Sequence, residues 1–246
     1  MTTQTSARPS LFSSTQTLGE LAAEQPAFVR VFERLGLDYC CGGRQTLAVA
    51  CAQLKIDPAT VEMMLGEVVA AHEVRTGEVD VGAMGLTELA NHIEASHHVY
   101  LKTELPRLIE MAERVAYKHG GRDARLCEVA ILVRDLADDM IGHLRKEEEV
   151  LFPLVRRMEV GGKREVNAET LAAPLRQMER EHENAGSQTA RLRMLTDGYS
   201  PDAEACNTHR ALLAGLAEFE GDLHRHVHKE NNLLFPKALA RAENPA

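Results

Sequence analysis

The chain has no tryptophan, and aromatic residues make up only 4% of its 246 positions. Alternating β-branched runs are also scarce, which argues against a core built from sheets, while Ala, Leu, Glu and Arg are plentiful and favour helix. Long apolar runs are missing as well. Nothing approaches the ~20 residues needed to span a bilayer, and the opening MTTQTSARPSLFSSTQT has no apolar segment of the secretory kind, so we expect a cytoplasmic protein. Positive charge is in deficit, with 28 Lys and Arg against 37 Asp and Glu for a net charge of −9, which disfavours nucleic acid and anionic membrane as partners. Cysteine is too sparse for a disulfide framework. There are five, an odd number with two adjacent, which in a reducing compartment read as buried or reactive thiols.

What the chain does contain is helix punctuation. Residues 1–13 read as a disordered tail. Thr17 and Glu20 form a capping box for a short helix that Pro26 ends. Phe28, Val31, Phe32 and Leu35 then make an apolar stripe, with Gly36 as its C-terminal cap. Helices from about 46 to 54 and from Pro58 to around His72 complete a small N-terminal helical domain over 14–72. Periodicity lapses over 73–85, the expected linker. Beyond it, over 86–246, four long helical patterns span about 86–118, 123–158, 170–196 and 201–241, with Ser200-Pro201 expected to start the last. Four such helices with short joints predict an all-α, antiparallel four-helix bundle able to house a metal site. Pro106, Pro153 and Pro236 fall inside these patterns and should kink or end them locally.

Residues 221–237, GDLHRHVHKENNLLFPK, occur twice in outline. A shift of 83 positions lays His143, Lys146, Glu147, Leu151, Phe152 and Pro153 on His226, Lys229, Glu230, Leu234, Phe235 and Pro236. A His and a Glu four apart stack on one helix face, so each copy aims an imidazole and a carboxylate at one point. A single pair of this kind is most often a solvated contact, and a run such as Lys146-Glu147-Glu148-Glu149 an exposed face. A solvated face has no reason to repeat a Leu-Phe-Pro sequel, however, so the duplicated pair reads as metal-binding, with Glu148 and Glu149 left in solvent.

The third helix offers His182 and the first offers His92, His97 and His98. One His per helix and two bridging carboxylates would give each of two metals two imidazoles, a set suited to iron that also accommodates zinc or manganese. A second ligand set is present in Glu94-x-x-His97 and Glu179-x-x-His182, the spacing of ferritin-like carboxylate sites, with Glu147 and Glu230 supplying the remaining donors. His224 and His228 lie two residues from His226, roughly 200° around the helix, and should face solvent or neighbouring groups.

The two His-x-x-x-Glu motifs with Leu-Phe-Pro, the Glu181-His182 segment, His97-His98 ahead of Glu104-Leu105-Pro106, and Asp38-Tyr39-Cys40-Cys41-Gly42-Gly43 together resemble the RIC (ScdA/YtfE) family of iron-sulfur cluster repair proteins. The resemblance runs from about Leu18 to Leu239 and implies a small N-terminal domain followed by a hemerythrin-like di-iron bundle. It implies His98, His143, His182 and His226 as terminal ligands of two non-haem irons in an oxo- or hydroxo-bridged centre, with Glu147 and Glu230 bridging and His97 as the alternative to His98. Only one of two adjacent histidines is expected to face the interior. Oxygen-carrying hemerythrins place a second His where Gly186 stands here, so the implied site is more open than theirs.

Cys40 and Cys41, on a turn beside two glycines, are expected to be exposed thiols that relay iron or electrons, whereas Cys51, Cys127 and Cys206 should be structural. The implied function is repair of iron-sulfur clusters damaged by nitrosative or oxidative stress. Damaged iron-sulfur proteins and nitric oxide or dioxygen-derived ligands are the implied partners, and a homodimer is compatible. Two alternatives stay open: a di-iron nitric oxide reductase or peroxide-consuming oxidase, and a sensor of diatomic gas or iron.

Overall fold

A computed structural model describes residues 13–72, 81–160 and 167–243. Nearly all of the expected tail and most of the expected linker lie outside the described residues. The chain divides into two units, Met1–Gly82 and Ala83–Ala246. The fold is all-α, and among the described residues the only β pairing is an isolated bridge between Thr17 and Thr46.

In the N-terminal unit the Thr17/Glu20 capping box opens α1 (Leu18–Glu24). A 3₁₀ turn at Pro26–Phe28 leads into α2 (Val29–Leu35), which Gly36 closes in the left-handed conformation. Thr46 caps α3 (Leu47–Leu54), and α4 (Pro58–His72) follows Asp57, whose carboxylate accepts from the Ala59 N–H. Leu18, Leu21, Phe28, Phe32, Tyr39, Leu47 and Leu65 form one core. Tyr39 is buried against Phe32, ring centroids 6.0 Å apart, and so anchors the Cys40-Cys41 turn from below. The turn is also stitched to α1 by backbone bonds from Leu18 N–H to Gln45 and from Gly19 N–H to Gly43.

Among the described residues the second unit consists of four rods, three of which are interrupted by a π-helical turn. The first joins α5 (Leu86–Ile93), a π turn (Glu94–His98) and α6 (Val99–His119). The second joins α7 (Arg125–Lys146), a π turn (Glu147–Leu151) and α8 (Phe152–Val160). The third is α9 (Ala168–Leu195) alone, and the fourth joins α10 (Asn207–Lys229), a π turn (Glu230–Leu234) and α11 (Phe235–Glu243). α6 packs on α7 and α10, α5 on α8, and α9 on α7, α10 and α11, which closes the ring of a bundle.

The apolar stripe of each rod explains why donors end up inside. On α7, Leu126, Val129, Val133, Leu136, Met140 and His143 are buried at alternating steps of three and four. On α10 the same steps run Leu212, Leu216, Phe219, Leu223, His226, and on α9 they pass through Leu175, Met178, His182 and Ala185. Each histidine thus occupies a core position of an otherwise hydrophobic stripe.

The π turns have a local cause in two of the three cases. Pro153 and Pro236 have no N–H, and their rings would strike the carbonyl four residues back in a regular helix. Just ahead of each, Phe152 N–H bonds instead to the Glu147 carbonyl and Phe235 N–H to that of Glu230, five residues back. α6 runs through Pro106 without ending, contrary to one reading of that proline.

The fourth rod starts at Asn207, not near 201. Asp197, Gly198 and Tyr199 all take positive φ, so the chain leaves α9 in a tight turn. The segment after Pro201 is then kept open by Arg210, whose guanidinium donates to the carbonyls of Asp202, Ala203 and Ala205.

Candidate metal centre

At the level of the π turns, six side chains from four rods converge. His98, Glu147, His226 and Glu230 form one group of donors within 4.8 Å of one another, and His143, Glu147, His182 and Glu230 form a second. All six residues are buried, and both groups use the same two carboxylates. The i,i+4 geometry is as the spacing predicts: His143 Nε2 lies 3.3 Å from Glu147 Oε1, and His226 Nε2 lies 3.0 Å from Glu230 Oε1.

Several of these donors satisfy nothing inside the protein. Both Glu147 oxygens, Glu230 Oε2 and His98 Nε2 are buried without a hydrogen-bond partner. Yet His98 Nε2 stands 3.4 Å from Glu147 Oε2, and His182 Nε2 stands 3.1 Å from both Glu230 Oε2 and His143 Nε2. Facing donors this close, the two histidine–carboxylate pairs among them without bonding geometry, are spaced like ligands around a shared cation, since two atoms each ~2.1 Å from an ion at right angles lie ~3 Å apart. The residues therefore fit a metal.

The electrostatics point the same way. Burial and the neighbouring Glu230 push the Glu147 carboxyl up, but His143 and His98 outweigh them and hold it below its usual range. Glu230, opposed by burial, is held well below by His226 and His182. Burial opposes protonation of His143, and the adjacent Glu147 charge, with the Glu181 hydrogen bond behind, still carries it up to about 10. Two ionised carboxylates in a dry core are tolerable only beside positive charge, and here protons on imidazole fill the role a cation would take.

Three of the four imidazoles are tethered through their outer nitrogen. His98 Nδ1 is 2.8 Å from Glu148, which Lys102 also grips. His143 Nδ1 is 2.9 Å from Glu181, which Lys146 and Gln177 hold. His182 Nδ1 is 2.9 Å from Asn231. Such contacts select the tautomer whose Nε2 lone pair faces inward. Phe152 stacks on His98 (centroids 5.4 Å) and Phe235 on His182 (6.1 Å), so the Phe of each copy shelters an imidazole supplied by an unrepeated rod, one in each donor group.

Glu148 is accordingly not the solvated residue expected from its run of acids. Asn231 and Glu148 each follow a carboxylate of the centre, and Glu181 precedes His182, a nearness that was the only sequence signal for them. Each reaches across to an imidazole on another rod, which sequence adjacency cannot reveal.

Both His97 and His98 are buried, contrary to the expectation that only one could be. A step of about 100° or less separates neighbours in a helical turn, so His98 can face the centre while His97 faces α10. There His97 Nδ1 meets Asp222 at 2.9 Å and its Nε2 meets Lys229 Nζ at 2.7 Å. Burial lowers His97 to about 4 against the pull of Asp222, and lowers Lys229 to about 8.

The carboxylate-rich rival set is not assembled: Glu94 turns outward to Arg156 at 2.7 Å, and Glu179 is in neither donor group. His228 is buried rather than solvated, its Nδ1 3.2 Å from Asn232 Nδ2.

The cysteines depart from expectation. Cys40 is buried and Cys41 half-buried, because Tyr39 drags the turn onto the core. Their sulfurs are 4.0 Å apart, and Asp38 Oδ1 accepts from both backbone N–H groups and from the Cys40 thiol. Gly42 is required there, since a Cβ would come within 2.9 Å of the Asp38 carbonyl. The contact with Cys41, then burial and the Asp38 charge, hold the Cys40 thiol well above its usual value. Asp38, Cys40 and Cys41 nevertheless make a third compact donor group. Of the cysteines read as structural, Cys51 is buried, Cys206 lies 3.2 Å from His119 Nε2 at the start of α10, and Cys127 is exposed on α7. No helix among the described residues is long and apolar enough to cross a membrane.

Residues 89–238 match the Hemerythrin HHE cation binding domain, and residues 14–69 match ScdA_N, a domain of unknown function. The chain is 39% identical to the iron-sulfur cluster repair protein YtfE of Musicola paradisiaca over 91% of its length and 96% of the relative's. With the same coverage it is 36% identical to the protein of that name from Yersinia pseudotuberculosis, and 34% identical to a probable iron-sulfur cluster repair protein of Haemophilus influenzae. A hemerythrin-type cation binding domain that follows an ScdA_N domain in the chain, matched over most of the length at this identity, means that the chain belongs to the RIC (ScdA/YtfE) family.

Proposed function

We propose that this chain is a cytoplasmic non-haem di-iron protein that restores iron-sulfur clusters damaged by nitrosative or oxidative stress, with iron as the cargo it hands on. The observation that carries the reading is the pair of four-donor groups sharing Glu147 and Glu230, in a chain whose relatives are named for cluster repair. His98 and His226 would hold one ion, His143 and His182 the other, and both carboxylates would bridge. An imidazole and carboxylate donor set suits iron, which when bound supplies exchangeable coordination positions and one-electron chemistry.

The chain's own residues perform the remaining tasks. Glu148, Glu181 and Asn231 orient three imidazoles, while Phe152 and Phe235 keep water from the faces of two of them, His98 and His182. In the N-terminal unit we assign Asp38, Cys40 and Cys41 to receiving iron in transit. Cys40 rests as a thiol, so an arriving cation must displace its proton before the sulfur can bind. The partners in this scheme are damaged iron-sulfur proteins, with nitric oxide as the agent of damage.

Protein purified without oxygen should carry two irons per chain and restore activity to an enzyme whose cluster nitric oxide has destroyed. Glu147→Ala and Glu230→Ala should lose iron and restore nothing, and Cys40→Ser should keep its iron yet restore poorly. Full iron in both glutamate variants would refute the donor assignment. Steady nitric oxide consumption without cluster recovery would make the protein a reductase instead.

A further inference from the structure

The two donor groups are braced unequally. In the group of His143 and His182, both outer nitrogens are tethered, to Glu181 and Asn231, each at 2.9 Å. In the other group His98 is tethered to Glu148 at 2.8 Å, but Nδ1 of the fully buried His226 has no hydrogen-bond partner in the protein.

What lies against His226 instead is a second imidazole. The His97 ring is stacked on it at 5.5 Å between centroids and 14° between planes. His97 is pinned at both nitrogens, by Asp222 Oδ1 at 2.9 Å and by Lys229 Nζ at 2.7 Å, and Lys229 also reaches His92 Nε2 at 3.1 Å. A lysine ammonium only donates, so His97 accepts at Nε2 and donates its Nδ1–H to Asp222. Both nitrogens are thereby committed, and what the ring offers His226 is its face.

We propose that the two metal positions differ in retention: the one served by His98 and His226 releases its ion first, and His97 is the positioning residue that keeps His226 in place. This rests on the di-iron reading of the six donors. An acceptor on the outer nitrogen both fixes an imidazole and raises its basicity, and losing one typically costs 10- to 100-fold in metal affinity. Stacking sets the plane of His226 but supplies no such acceptor, so the ring is oriented and yet the weaker donor. For a protein that hands iron on, the asymmetry lets one ion leave while the fully tethered group keeps the pocket assembled.

The test uses the full-length protein loaded without oxygen with two equivalents of Fe²⁺ and mixed with excess ferrous chelator. Release should occur in two phases of one equivalent each, with rates about tenfold or more apart. His97→Ala should accelerate the fast phase alone, and His97→Phe, which keeps a stacked ring, should stay near wild type. Asn231→Ala should accelerate the slow phase alone, with circular dichroism verifying that each variant is folded. Release of both equivalents in a single phase, or an Asn231→Ala effect on the fast phase, would overturn the inference while leaving the di-iron centre standing. Loss of a full equivalent in both His97 variants would make His97 a ligand and overturn its role as a brace. Uptake of fewer than two ions by the wild type would refute the centre itself.

Discussion

The two copies of His-x-x-x-Glu-x-x-x-Leu-Phe-Pro deliver the same donors and then part company at the lysine within them. Lys146 reaches Glu181, the tether of His143, and so supports its own copy's imidazole at one remove. Lys229, at the equivalent place, reaches His97 and His92 on the first rod. The tails differ too. Glu159 of α8 accepts from the backbone N–H groups of Leu86 at 2.6 Å and Thr87 at 3.0 Å, capping α5, whereas Lys237 of α11 donates to the Met84 carbonyl at the same helix entry. An internal repeat thus fixes which atoms point inward, and the unrepeated neighbours decide how firmly each is held.

The largest expected effect probes what the copies share. Because each carboxylate belongs to both donor groups, Glu147→Ala and Glu230→Ala should each drop the metal content by more than one ion per chain, measured by elemental analysis. Loss of a single ion in either variant would show that the carboxylates are not shared.

Phe152 and Phe235 are both buried, and truncating either to Ala should cost about 3–5 kcal/mol in chemical denaturation. Clearly unequal costs would mean that the repeat shelters only one side. Removing the tether peculiar to the first copy, in Glu181→Ala, should weaken metal binding about 10- to 100-fold by competition with a chelator.

The pH dependence has a defined sign. His143 in the ion-free protein keeps its proton up to about 10, and a metal must displace it. Affinity should therefore rise with pH below that value, by about tenfold per unit for each proton displaced. A flat profile between pH 6.5 and 8.5 would show that His143 carries no displaceable proton in that range.

The smallest effect concerns the tails. Hydrogen bonding to Thr87, with the Leu86 and Thr87 backbone, lowers the Glu159 carboxyl. Its stabilising contribution is present above the ordinary carboxylate range and is lost as pH falls through its lowered value. Glu159→Ala should cost about 0.5–1 kcal/mol at neutral pH, and the difference from wild type in thermal unfolding should vanish in acid. Gly85 allows this contact, since a Cβ there would lie 2.8 Å from Glu159 Oε1.

Much of the architecture was legible because it rests on local signals. The capping box at Thr17, the stop at Gly36, the Thr46 cap and the start at Pro58 all depend on groups a few residues apart. The start of the fourth rod was misread because the carbonyls after Pro201 are satisfied by Arg210 rather than by helix. The Cys40-Cys41 turn was read as exposed because its glycines suggested a surface loop, whereas the burial of Tyr39 sets its depth.

By itself the sequence determined the all-helical fold and the two inward His-x-x-x-Glu pairs, because a spacing of four residues and a core stripe are properties of a helix considered alone, while it left the choice between His97 and His98 open. Only the tertiary structure decided the tethers: Glu148 for His98, Glu181 for His143, Asn231 for His182, and a stacked His97 in place of a tether for His226. Each of these joins two rods, and which faces of two rods meet depends on the packing of all four. The period of a single helix carries no record of that packing.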